Sequence, residues 1–85
     1  GPAFAAFRCD DGRRVEVAYP DPATAILRID GREVALRAAV AASGARYVGI
    51  GWQWWTRGTA EASLAPLAAD QAVASATPVR CLAEG

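Results

Sequence analysis

The stretch LRIDGREVAL, residues 27–36, leaves a short chain few ways to fold. Apolar and charged residues alternate on either side of Asp30-Gly31, and alternation with period two marks a strand with one buried face. Asp-Gly is the pair that a two-residue hairpin turn favours. The implied register sets Leu27 opposite Val34 and Ala25 opposite Leu36, and it turns Arg28 and Glu33 to the other face. The same reading applies to FAAFRC (4–9) and RRVEVAY (13–19). A two-residue Asp11-Gly12 turn would put Val15 opposite Arg8 and mix the faces. A three-residue loop, Asp10-Asp11-Gly12 with a left-handed Gly12, sets Phe7 opposite Val15 and Ala5 opposite Val17, and it turns Cys9 inward.

Further runs continue the pattern. AAVAASG (38–44) reads as a weak strand ending in a small-residue turn, and RYVGI with WQWWTR reads as a hairpin that bends at Gly49 and Gly51. AEASL and TPVRC supply the last strands. Between them the alanine-rich stretch behind Pro66 is open to two conformations, a short helix near 66–74 or an irregular loop. Seven or eight short antiparallel strands predict an all-β fold, a small closed antiparallel barrel, because closure removes exposed sheet edges.

A chain of 85 residues has a core too small to be generously stable, so a staple is expected. Cys9 and Cys81 are the two cysteines and lie near opposite ends, a spacing unlike a zinc ligand set or a redox pair. They are either joined or two unrelated buried thiols. The small core favours the bond, which would contribute about 4 kcal/mol in the chain-entropy model and would persist in an oxidising compartment. Gly1-Pro2 resembles a protease-cleavage scar, which leaves 3–85 as one domain. With no apolar run long enough to span a membrane, the chain reads as a mature export product.

Composition bears on function mainly through what is missing. The chain has no histidine and balances nine basic residues, all arginine, against nine carboxylates. Neutrality, with the arginines spread along the chain, argues against a nucleic-acid partner. Without histidine or lysine, the commonest general base and the usual amine nucleophile are absent, and the serines lack an activating neighbour. The inventory predicts no catalytic residue, metal or cofactor, hence a protein that is not an enzyme.

What remains is AASGARYVGIGWQWWTRG, residues 41–58, with one tyrosine, three tryptophans and two arginines. On a regular strand Trp54 and Trp55 face opposite ways, so one belongs to the core and the other is half-exposed. Arg57 shares parity with Trp55. The Ser43 hydroxyl could cap its own turn or serve a partner.

The order FRCDDGRRVEVAY, LRIDGREVAL, ASGARY, WWTRG, EASL and a late cysteine resembles the bacterial inhibitors of c-type lysozyme, membrane-bound and periplasmic, over nearly the whole chain. The pair SGARY and WWTRG is the specific part. The resemblance implies a barrel of about eight strands with its cysteines joined, exported to the periplasm, with the outer membrane reached through a lipid anchor upstream of residue 1. It implies c-type lysozyme as the protein partner, and the chain itself is expected as a monomer or weak dimer.

In that family a loop serine enters the lysozyme cleft and hydrogen-bonds the catalytic carboxylates, supported by a basic residue before the glycine of a W-x-K-G motif. Carried over, the serine is Ser43, the tyrosine of the loop Tyr47 and the basic residue Arg57, where arginine replaces the usual lysine. The implied lysozyme-binding set is Ser43, Gly44, Ala45, Arg46, Tyr47, Thr56 and Arg57. Two other readings compete: a carbohydrate-binding module stacking sugars on Trp52 and Trp54, and a structural envelope domain without a soluble partner.

Overall fold

In the computed structural model, which describes residues 3–85, the Asp30-Gly31 hairpin has the register its sequence implies: Leu27 pairs with Val34, Ala25 with Leu36 and Arg28 with Glu33. Arg28 and Glu33 form an exposed ion pair at 3.0 Å. The first hairpin also agrees, with Phe7 opposite Val15 across a loop in which Gly12 takes a φ of 89°. Gly1-Pro2, read as a scar, lies outside the described residues.

Eight strands follow one another as β1 (Ala5–Cys9), β2 (Arg14–Asp21), β3 (Thr24–Ile29), β4 (Arg32–Ala39), β5 (Ala45–Gly49), β6 (Gly51–Arg57), β7 (Glu61–Leu67) and β8 (Val79–Ala83). Each pairs antiparallel with the next, and β8 returns to β1, giving an all-β closed barrel. Closure is sealed covalently: Cys9 and Cys81 are directly opposite in the β1–β8 register and form a disulfide. Both are buried.

Inward-facing residues fill the barrel by simple alternation. Val15 and Val17 from β2, Leu27 and Ile29 from β3, Leu36 from β4 and Leu64 from β7 pack with Phe7 around Trp54, the largest fully buried side chain. The Phe7 ring meets the Trp54 indole edge-on at 5.2 Å between centroids, an arrangement that aromatic quadrupoles favour. The Trp54 Nε1–H cannot be left unpaired in such a core, and it donates to the Tyr19 hydroxyl at 3.0 Å.

Two expectations need correction. The possible helix near 66–74 is absent. Pro66 belongs to β7, paired with Trp52, at a level where β7 has lost β8 as a neighbour, so a residue without an N–H is tolerated. Beyond Leu67, Gln71 bonds Ala68 twice, through main chain and side chain, and the Ala72 carbonyl is drawn to Arg46; these contacts divert the groups a helix would use. Nor is AAVAASG a strand of its own. Ala38 and Ala39 finish β4 against Tyr47 and Arg46, and the chain leaves the sheet at Val40.

Candidate functional site

The connections β2–β3, β4–β5 and β6–β7 emerge at one end of the barrel, and this brings the two motif segments together. Ala45 pairs with Thr56, Arg46 with Trp55 and Tyr47 with Trp54, so the loop 40–44 enters β5 beside the point where β6 leaves the sheet.

Ser43 is exposed, and among the described residues its hydroxyl has no hydrogen-bond partner, so it does not cap its own turn. Its main chain is held instead: the Trp55 Nε1–H donates to the Ser43 carbonyl at 2.8 Å. Gly44 has a φ of 66°, and a Cβ there would run into the Thr56 carbonyl oxygen. Only glycine lets the loop lie this close to β6. The Thr56 hydroxyl adds a donor to the Ala45 carbonyl at 3.3 Å.

Strand parity sorts the remaining side chains. Trp54 faces the core and Trp55 the outside, where it is half-buried. Arg57 lies on the same outer side as Trp55, exposed, and forms no ion pair among the described residues although Glu61 is its cross-strand neighbour. Glu61 is engaged by Arg80 at 3.5 Å. A shallow groove of about 270 Å³ runs beside Trp55, Arg57, Ser63 and Arg80.

Tyr47 and Arg46 are placed differently from the rest of the set. Tyr47 points into the barrel mouth, where its ring lies 5.4 Å from that of Tyr19. These two tyrosines, with Phe7, Thr56 and Thr59, line an open cup of about 360 Å³. Although Tyr19 is 43% exposed, partial burial pushes its phenol above the ordinary 10.0, against the lowering effect of the Trp54 hydrogen bond and with a further rise from Tyr47. Arg46 points outward yet is only 7% exposed, covered by the strap formed by residues 68–78.

The structure thus gathers Ser43, Gly44, Ala45, Thr56 and Arg57 at one rim, with Tyr47 lining the mouth and Arg46 beneath the strap. The clamp from Trp55 was not read from the sequence, although the signal existed: an outward tryptophan whose N–H needs an acceptor. Trp54 cannot stack on a sugar, being fully buried, and Trp52 packs against the core with the Arg13 guanidinium 5.0 Å from its ring. A larger concavity of about 410 Å³ over the outer wall of β2–β4 is remote from this rim, and its Arg14, Glu16, Arg28 and Glu33 are engaged in ion pairs.

Comparisons with known proteins place the sequence in a family. Residues 7–72 match the family described as membrane-bound lysozyme-inhibitor of c-type lysozyme. A protein of Cupriavidus necator named membrane-bound lysozyme inhibitor of C-type lysozyme is 46% identical over 55 residues, 61% of this chain. The chain spans 44% of that relative's length. No solved structure matches significantly. With more than half of its 85 residues matched, both motif segments included, the chain belongs to the family of membrane-bound lysozyme inhibitors of c-type lysozyme.

Proposed function

We propose that this barrel inhibits c-type lysozyme by presenting the Ser43 rim to the active-site cleft, with Arg57 supplying the accompanying positive charge. The observation that carries the reading is the pairing of a rigid backbone with unengaged functional groups. Trp55 and Thr56 hold the loop main chain, while the Ser43 hydroxyl and the Arg57 guanidinium have no internal partner among the described residues. A loop already ordered before binding loses little further entropy in a complex.

The chemistry of the target completes the argument. A lysozyme works with one protonated and one ionised carboxyl group on either side of the glycosidic bond. A hydroxyl donor and a cation between them fill the sugar subsite and disturb both protonation states. Arginine at position 57 keeps the charge and offers a planar fork suited to a carboxylate. The inhibitor needs no catalytic group of its own, so the protein acts by occupancy and is not an enzyme. The periplasm is its proposed compartment, with a membrane tether upstream of the barrel in keeping with the family's description.

The test is to titrate the purified protein into a c-type lysozyme acting on peptidoglycan. Stoichiometric loss of lytic activity is expected. Full activity at a large excess of the barrel overturns the reading.

A further inference from the structure

Arg46 presents a problem that the proposed inhibition does not solve: a buried guanidinium with no carboxylate within ion-pairing distance among the described residues. Burying a charge is costly unless its donors are satisfied. Here each of the three nitrogens has a neutral acceptor, and the acceptors come from three separate segments. Nε donates to Gln53 Oε1 at 2.9 Å, Nη1 to the Val40 carbonyl at 3.4 Å and Nη2 to the Ala72 carbonyl. Gln53 is itself buried on β6, Val40 opens the loop 40–44, and Ala72 lies in the strap.

The guanidinium also lies 5.8 Å from the centre of the Trp55 ring, the same indole that holds the Ser43 carbonyl. The loop is therefore fixed at both ends: at Val40 by Arg46 directly, and at Ser43 by Trp55, against which Arg46 packs. Strap and loop share one guanidinium although 26 residues separate Arg46 from Ala72.

We propose that Arg46 is a positioning residue for the Ser43 loop and that, through it, the strap 68–78 sets the loop's conformation. The inhibitory consequence rests on the reading of Ser43 given above; the clamp itself does not. Lysine cannot substitute, because a single ammonium on a flexible stem does not hold three acceptors in the fixed directions of a planar fork. The sequence resemblance grouped Arg46 with the residues that touch lysozyme, whereas its burial assigns it to the support of those residues.

Two measurements on the intact protein test this. The first is hydrogen exchange of the Trp55 Nε1–H, the donor bonded to the Ser43 carbonyl, in the free protein, wild type against Arg46→Lys. Exchange of this proton should accelerate while the amides of β1–β3 keep their protection. The second is a double-mutant cycle with Ser43→Ala: Arg46→Lys should raise the inhibition constant by about tenfold in the wild-type background and by less than about twofold without the Ser43 hydroxyl, because residues that act through one another are not additive. Unchanged exchange, or equal effects in both backgrounds, overturns the proposal. If Arg46→Lys loses protection throughout the barrel, Gln53→Met replaces it, removing one acceptor without touching loop or strap; unchanged exchange there overturns the proposal equally. A wild type that does not inhibit overturns the functional reading alone, and the clamp then stands or falls on the exchange data.

Discussion

The indole N–H of Trp55 and the main-chain carbonyl of Ser43 lie 2.8 Å apart, donor to acceptor, across the boundary between β6 and the loop that leads into β5. A residue on the outer wall of the barrel thereby holds a residue at its rim. Trp55→Phe keeps a ring and removes the donor. The thermal midpoint should change little, because Trp55 lies outside the core, while inhibition should weaken by ~1 kcal/mol, the usual net value of one such hydrogen bond. Inhibition constants and melting curves for the two proteins check this, and an unaltered inhibition constant removes the clamp from the mechanism.

Ser43→Ala and Gly44→Ala should separate function from loop geometry. The first deletes an exposed hydroxyl with no internal partner, so the fold should be untouched and inhibition weaker by about 1–3 kcal/mol if that hydroxyl donates to a desolvated carboxylate. The second forces a side chain into the Thr56 carbonyl at a positive φ, so it should displace the whole loop and cost affinity even with Ser43 present. Equal inhibition by wild type and both variants would place the binding surface elsewhere.

For Arg57 the informative quantity is the off-rate. A cation buried against a lysozyme carboxylate is lost at a cost of ~2–5 kcal/mol, mostly as faster dissociation, whereas a rim cation mainly alters the on-rate and its salt dependence. Surface-plasmon kinetics of wild type, Arg57→Ala and Arg57→Lys at low and high salt should show fast dissociation for the alanine variant. Dissociation as slow as wild type in both variants would take Arg57 out of the cleft.

Reduction should open the barrel at its seam. Cys9 and Cys81 are separated by 72 residues, and a loop of that length contributes about 4 kcal/mol through the unfolded chain, much of what a domain this small possesses. The thermal midpoint should fall sharply with reductant, and thiol titration of the unfolded, non-reduced protein should find no reactive group.

Tyr19 gives stability an alkaline limit. Its phenol is raised above 10.0 by partial burial, so the folded state holds the proton more tightly than the unfolded chain does. Where the folded state binds more protons, stability falls as pH rises. The contribution is whole below the ordinary value and is lost as pH climbs through the raised one. The advantage of wild type over Tyr19→Phe, whose Trp54 N–H lacks an acceptor, should therefore shrink from pH 9 to pH 11 in parallel melts. A constant difference would contradict this assignment.

Several features of this protein were decided by local sequence alone. Asp30-Gly31 and Asp10-Asp11-Gly12 set two hairpin registers, and parity put Trp54 and Trp55 on opposite faces, because turn chemistry and period-two alternation act between neighbours. That the two motif segments are neighbours was equally legible, since β5 and β6 form one hairpin, with Ser43 in the loop that leads into β5 and Arg57 at the end of β6. Tertiary structure decided what depends on distant partners. The alanine-rich stretch after Leu67 is a strap rather than a helix, with its Ala72 carbonyl accepting from Arg46, and that strap leaves Arg46 buried. Trp54 finds its acceptor in Tyr19, 35 residues away. A buried donor must find an acceptor, but sequence spacing does not say which distant carbonyl or hydroxyl will lie within reach once the barrel closes.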